Sequence, residues 1–472
     1  MRSVAIVLAL LLAGCASYRG IEHRSTPADP AALEAGQSLQ REPAADGAWP
    51  RLDWWKQFGD PQLDALIDEG IAGSPGVRLA RARLDQALAA ARVAGAPLGP
   101  QVSAGADVTR QRFSENYIFP PPIAGSTHTT TQLSLNFGYQ LDFWGRNRAA
   151  YEAAVGRSRA AQAEGFAARL ALSAALAGTY VQLARAYDQL DLARRELADR
   201  ESVQSLTGER VRAGLDSRLE LKQVEASIPA ARVRIAQVEE QIALARGQLA
   251  ALLGKGPDRG LTIERPSLRP AQVVLPASLP ADLLGRRPDV VASRERAQAS
   301  AREIASAKAA FYPDVNLSAL VGVQSVTLSK LASAGSAIPS VGAAVRLPIL
   351  EGGRLRGELA ARNADYDVAV EQYNQTLADA LREVVDQLTS LRSVRQQSAE
   401  VGTALAAAEE AYGLALTRYK AGIGSLLQVF VAEVPVLEQR TLHAELRSRE
   451  LALSINLIRA LGGGFDTQVA LQ

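Results

Sequence analysis

Apolar and polar residues alternate strictly along one stretch of the chain: Leu133, Leu135, Phe137, Tyr139, Leu141 and Phe143 are separated by Ser134, Asn136, Gly138, Gln140 and Asp142. A period of two places these sets on opposite sides of an extended chain, which predicts a strand with one apolar and one polar face. Its partner is expected over about Val102 to Arg112. A second pair follows, with Val315, Leu317, Ala319, Val321 and Val323 alternating with Asn316, Ser318 and Gln324, and a return strand through Val341, Ala343, Val345 and Leu347. Each is about as long as a tilted membrane-spanning strand needs to be, about 9–11 residues. Elsewhere the period changes. From Gly145 to about Val211 there is no proline, and Leu183, Ala186, Leu190, Ala193 and Leu197 recur at the three-and-four spacing of one helical seam. Roughly 65 residues at about 1.5 Å each give a helix about 100 Å long, more than a single globular core can cover. Asp216 to Leu253 reads as a shorter helix returning antiparallel, and Arg354 to Ala421 followed by Ser425 to Leu461 repeat the arrangement. Pro229 and Pro435 are expected to kink the return helices.

The recurrence of strand, loop, strand and long helices reflects a duplication. Pro75, Arg81, Arg83, Pro100 and Val102 recur at one spacing as Pro288, Arg294, Arg296, Pro313 and Val315. Gly145, Arg146, Arg210, Ala213, Gly214, Ser217, Leu219, Glu225 and Gly254 recur as Gly353, Arg354, Arg418, Ala421, Gly422, Ser425, Leu427, Glu433 and Gly462, at a spacing five residues shorter. The difference is expected at the Pro-rich loop Phe113 to Thr127, since exposed loops tolerate length changes best. The chain divides accordingly into a leader at 1–14, an N-terminal extension at 15–60, a first repeat at 61–260 and a second at 261–472.

Four strands cannot close a transmembrane barrel, because such barrels begin at about eight strands and an open edge cannot face lipid. Several chains must share one barrel. Two would supply eight strands and three would supply twelve, and the pattern does not choose between them.

Composition narrows the chemistry. With 52 basic and 50 acidic residues there is no positive excess for nucleic acid, which is not expected as a partner. His23, His128 and His443 lie far apart and without metal-ligand spacing, so neither a metal, another cofactor nor a catalytic centre is expected, and the chain does not read as an enzyme. The single cysteine, Cys15, follows Arg2, a short apolar run from Val4 to Leu12, and the small residues Ala13 and Gly14. Leu12-Ala13-Gly14-Cys15 looks like a bacterial lipobox. It implies cleavage before Cys15 and acylation of that residue, and Ala16 and Ser17 are not the aspartate that retains lipoproteins at the inner membrane. After the leader no stretch of about 18 consecutive apolar residues occurs, so the strands are left to span the membrane.

Several motifs in order carry a family resemblance: Trp54-Trp55 with Phe58-Gly59-Asp60, Leu141-Asp142-Phe143-Trp144-Gly145-Arg146, the turns Ala213-Gly214-Leu215 and Ala421-Gly422-Ile423, and Arg286-Arg287-Pro288-Asp289-Val290. Over nearly its whole length the chain resembles the outer-membrane factor family of TolC and OprM, and with its lipobox the NodT-like lipoproteins of resistance-nodulation-division (RND) efflux. The resemblance implies an α+β membrane fold: a homotrimer sharing a 12-stranded β-barrel, four strands per chain, above a long periplasmic α-helical barrel. It implies a passive exit duct for drugs delivered by an inner-membrane RND-type pump through a periplasmic adaptor, in a lipid-anchored protein of the outer membrane. The exit duct of a type I protein or polysaccharide exporter is the alternative. In such a channel Leu133, Leu135, Phe137, Tyr139 and Leu141 would face lipid. The turns Ala213, Gly214, Leu215 and Ala421, Gly422, Ile423 would dock on the adaptor. The closing aperture would involve Asp216, Arg218 and Glu220, with Arg218 the candidate partner of Asp216. At the second-copy positions stand Gln428 and Val431, a departure from the acidic residues the family places there.

Overall fold

Where the chain alternates with period two, it pairs into a sheet. A computed structural model describes residues 17–33, 49–270 and 285–467, so Cys15 and its leader lie outside the described residues. Strands β1 (Gln101–Arg112), β2 (Thr127–Leu141), β3 (Asp314–Ser325) and β4 (Ser340–Arg346) form one antiparallel sheet in chain order. The central pairing, β2 with β3, joins the two repeats, while β1 and β4 are the edges. The expected length difference between repeats does not fall in the first loop. Loops 113–126 and 326–339 are equally long, whereas β2 has 15 residues and β4 has 7. The return strand stops at Arg346, before Pro348, whose missing N–H cannot extend a ladder. β4 is thus shorter than the length read from its alternation, although a bridge from Val323 to Ala337 continues its register toward the loop.

Seven helices account for most of the remainder: α1 (Pro61–Gly73), α2 (Pro75–Gly95), α3 (Arg146–Arg212), α4 (Arg218–Leu252), α5 (Pro288–Ala309), α6 (Arg354–Lys420) and α7 (Leu426–Ala460). The two long helices have 67 residues each and the two return helices 35 each, so the duplication is preserved in length. α4 and α7 run through Pro229 and Pro435 without ending.

Contacts divide the chain into two units. One comprises Met1–Pro27, Leu84–Ala161 and Ser293–Tyr373 and holds the sheet. The other comprises Ala28–Arg83, Gln162–Ala292 and Asn374–Gln472 and holds the helical body. In the sheet unit a small core of Ile304, Phe311, Leu355 and Leu359 is covered by Tyr18 and Ile21 from the N-terminal segment. That segment is fastened to α6, where Asp367 Oδ1 accepts the amides of Arg24 and Ser25 at 2.9 and 2.8 Å.

In the helical unit the core is built from Trp54, Trp55, Phe58, Leu63, Leu66 and Ile67 against Leu176, Tyr180, Leu183, Val238, Leu249 and Leu253. The antiparallel return of α4 on α3 is marked by Arg194–Glu239 at 3.3 Å and Glu201–Arg232 at 3.4 Å, one number rising as the other falls. α3 is the one described helix long and apolar enough to cross a membrane. Its Leu176, Ala177, Tyr180, Val181 and Leu183 are nevertheless packed in this core, at 1% exposure or less. The Arg286–Val290 motif also proves to be a core element. The Arg287 guanidinium donates to Asp289 at 3.0 and 2.6 Å, to Glu383 at 2.9 Å and to the Ala460 carbonyl at 3.1 Å.

Candidate functional site

In the sheet, register decides which side chains share a face, because residues directly opposite in antiparallel strands project the same way. Phe137 lies opposite Val102 and Ala319, and Leu135 opposite Ala104 and Val321. Leu133 lies opposite Ala106 and Val323, Tyr139 opposite Leu317, and Leu141 opposite Val315, whose other neighbour is Val345. Over these rows one face is therefore apolar across all four strands, and toward loop 113–126 the same face turns polar with Thr131, Thr129, Arg110 and Arg112. The other carries Ser103, Asn136, Gly138, Ser318, Gly342 and Arg346, with Leu320 and Ala344 as its apolar exceptions. Among the described residues no layer covers the apolar face: Leu135, Val321 and Val341 are 55%, 65% and 88% exposed. At the foot of β2, Trp144 stacks on Tyr312 at 4.6 Å and donates its Nε1–H to the Pro313 carbonyl at 2.9 Å.

In the helical unit the two hairpin turns share one construction. α3 ends as Leu215 N–H donates to the Arg210 carbonyl at 2.9 Å and Gly214 N–H to Val211 at 3.1 Å. α6 ends as Ile423 N–H donates to Arg418 at 3.0 Å and Gly422 N–H to Tyr419 at 3.1 Å. This double closure requires a left-handed residue, supplied by Gly214 at φ 72° and Gly422 at φ 80°. The reversal leaves Ala213 and Ala421 exposed, and turns Leu215 and Ile423 outward at 64% and 69% exposure.

The return helices start on capping boxes. Ser217 N–H donates to the Glu220 carboxylate at 2.9 Å, and the Ser217 hydroxyl also bonds it. These bonds hold the Glu220 carboxyl below its ordinary range. In the second copy Ser425 N–H donates to Gln428 Oε1 at 3.4 Å. Glu and Gln serve this position equally, because either side chain reaches back to the cap amide. The sequence departure at Gln428 thus preserves the cap. Arg218 is exposed at the first residue of α4 and Val431 on the second turn of α7.

Asp216 faces elsewhere. It is not Arg218 that takes its carboxylate but Arg210, with Nε at 2.8 Å and Nη2 at 3.1 Å, together with the Tyr419 hydroxyl at 2.6 Å. Arg210 also donates to the Tyr419 carbonyl at 2.9 Å and lies over the Tyr419 ring at 4.4 Å, while Thr207 Oγ1 meets the Tyr419 hydroxyl at 3.0 Å. Tyr419 is fully buried. The guanidinium lowers the Asp216 carboxyl, and burial raises the Tyr419 hydroxyl. The network fastens the first-copy hairpin to the end of α6. Sequence reasoning identified Asp216 but missed Thr207, Arg210 and Tyr419. Arg210 was visible as a repeated arginine, but Tyr419 has no counterpart in the first copy.

Comparison with known proteins follows the same outline. Residues 66–255 and 279–463 match the family described as outer membrane efflux protein. The chain is 41% identical over 363 residues to the fusaric acid resistance protein FusA of Burkholderia cepacia, covering 76% of this chain and 68% of the relative. It is 32% identical over 464 residues to the multidrug resistance outer membrane protein MdtP of Escherichia coli K12, covering 97% and 94%. The crystal structure of the outer membrane protein VceC of Vibrio cholerae superposes with a TM-score of 0.84 at 38% identity, over 89% of this chain and 100% of that one.

Proposed function

The chain belongs to the outer membrane efflux protein family, and from that premise we propose that three copies set their sheets edge to edge in one barrel and release small-molecule drugs through it. It is an outer-membrane channel subunit, an exit duct for efflux. Channels of this family are trimers that work with adaptors and inner-membrane pumps, and its relatives are channel proteins. The observation that carries the reading is the four-stranded sheet with one face apolar over the rows of Leu133 to Leu141 and two open edges. Such a sheet is insoluble and incomplete alone, and closure with further copies satisfies both edges while lipid covers the face. Trp144 and Tyr312 stand where an interfacial aromatic girdle belongs. FusA is named for fusaric acid resistance and MdtP for multidrug resistance, which supports small molecules as the cargo; an inner-membrane RND-type pump as the energy source belongs to the same proposal.

Three finer assignments belong to the same proposal. Cys15 is the acylated terminus, Leu215 and Ile423 at the hairpin turns meet the adaptor, and the Arg210–Asp216–Tyr419 network holds the periplasmic aperture shut. Glu220, Arg218, Gln428 and Val431 line its rim. Purified protein in planar bilayers tests the duct. A heat-stable trimer with defined conductance is expected, together with drug sensitivity on deletion of the gene that its reintroduction reverses. A monomer without conductance overturns the reading.

A further inference from the structure

One acidic side chain in the helical unit is placed where an ionised carboxylate is costly. Glu433 on α7 is 8% exposed and sits between the buried Val429 and Val436 of its own helix. Arg200 of α3 approaches only to 3.8 Å, and that guanidinium is already bound to Glu196 at 3.0 and 2.8 Å. The remaining facing groups do not neutralise it. Asp199 on α3 adds negative charge, and Tyr412 on α6 is held neutral, its hydroxyl pushed up to about 12 by burial and by the Glu433 charge. Arg440 on α7 is engaged by Glu409 of α6 at 2.8 Å. The repeat supplies an internal contrast. Glu225, the first-copy counterpart, is about one-third exposed and paired with Lys222 at 2.5 Å. Ala404 and Ala408 stand where the second copy would need Glu196 and Arg200.

We propose that Glu433 is a proton-operated latch between α3 and α7 of one subunit: as the neutral acid it lets the helices stay packed, and as the carboxylate it pushes them apart. Burial raises the Glu433 carboxyl above its ordinary range. A carboxyl whose value is higher in the packed than in the separated arrangement favours packing at low pH, and that preference is lost as pH rises through the raised value. Mild acid tightens the helical body, and neutral to alkaline medium loosens it. The consequence for conductance rests on the duct reading, whereas the helix separation itself does not.

Amide hydrogen exchange of α7 in the purified trimer tests the latch, with rates corrected for intrinsic base catalysis and compared at pH 5 and pH 8. Wild type is expected to lose protection around Val429–Val436 by at least about threefold on going to pH 8. Glu433→Gln abolishes that loss, and Glu225→Gln preserves it. A flat wild-type profile, or the same pH ratio in wild type and Glu433→Gln, overturns the latch. Should Glu433→Gln fail to trimerise, Arg200→Gln serves: removing the nearest cation enlarges the wild-type pH ratio if the latch exists, and an unchanged or smaller ratio overturns it. A conductance measurement on Asp216→Asn separates the two readings. A pH-dependent α7 alongside unchanged Asp216→Asn conductance sustains the latch and defeats the proposed aperture, and the reverse pair of results defeats the latch alone.

Discussion

Replacing Asp216 by Asn removes one charge from the hairpin network without changing its shape. The Arg210 and Asp216 side chains are 10% and 11% exposed, so water screens their pairing little. Three bonds are altered, two from Arg210 and one from Tyr419: an amide oxygen can replace only one carboxylate oxygen, and the NH2 in place of the other turns a donor toward an Arg210 or Tyr419 donor. A hydrogen bond to a charged group contributes about 1.5–3 kcal/mol, so the loss is at least the one bond whose acceptor becomes a donor, with a smaller weakening of those that remain. Because the bonds share atoms and do not add fully, we take about 2 kcal/mol per subunit. That is a factor of about 30 between fastened and released hairpins. Tyr419→Phe removes the bond to Asp216 and the contact with Thr207, whose hydroxyl keeps the Val203 carbonyl, and is expected to cost about 1 kcal/mol. Single-channel recording should show longer and more frequent open periods for Asp216→Asn and a smaller change for Tyr419→Phe. The guanidinium holds the Asp216 carboxyl below its ordinary value, so the network is complete above the ordinary carboxylate range and is lost as pH falls through the lowered value. Wild type should therefore open in strong acid, below the range in which Glu433 acts, and Asp216→Asn should lack that transition. Indistinguishable recordings from wild type and Asp216→Asn would refute the assignment.

Cys15→Ala should abolish metabolic labelling with palmitate and weaken membrane anchoring, and labelling that persists in the variant excludes Cys15 as the acylated residue. Phe137→Arg places a charge on the apolar sheet face, at about 2–4 kcal/mol if mid-membrane, whereas Asn136→Arg lies on the polar face and should be tolerated; equal loss of heat-stable trimer on gels would mean the register is wrong. Arg287→Ala strands Asp289 and the Ala460 carbonyl and leaves Glu383 to Arg459 alone, a loss of about 3–5 kcal/mol for a mostly buried pair. Arg287→Lys should rescue little because an ammonium cannot bridge three partners in one plane, and a melting temperature equal to wild type for either variant would show the motif is not structural.

Much of this architecture is legible in the amino-acid order alone, because period-two and three-and-four spacing report directly on which side of an element is apolar. The four longest helices begin and end within two residues of where the helical spacing, Gly214 and Gly422 place them. The short β4 is less legible: alternation continues through Leu347, but hydrogen bonding stops at Arg346. Side-chain pairing is harder still. Arg218 is two residues from Asp216 and Arg210 is six, yet the turn carries Asp216 back over the last turn of α3 toward Arg210 and directs Arg218 into the next helix. Glu220 reads as a pore acid from its position, and only the Ser217 amide bound to it reveals a cap.

The backbone repeats twice per chain, but the charged network is built once. At the position corresponding to Asp216 the second copy has Gly424, at that of Thr207 it has Ala415, and opposite its arginine, Arg418, stands Val211 rather than Tyr419. Space accounts for the glycine. A Cβ at Gly424 would come within 3.1 Å of both the Arg418 Cβ and the Tyr419 amide nitrogen, so a carboxylate cannot be seated there without moving the end of α6. That movement would disturb the Tyr419 carbonyl, which already accepts from Gly422 and from Arg210. Gly424→Asp in an Asp216→Asn background should therefore fail to restore the closed channel, even though Arg418 is near enough to pair. It should lower thermal stability further, by about 1–3 kcal/mol for crowding of this kind. Recordings of the double variant decide the point: recovery of the wild-type closed level would mean that any arginine and carboxylate across a hairpin suffice, and that Tyr419 does not fasten one copy to the other.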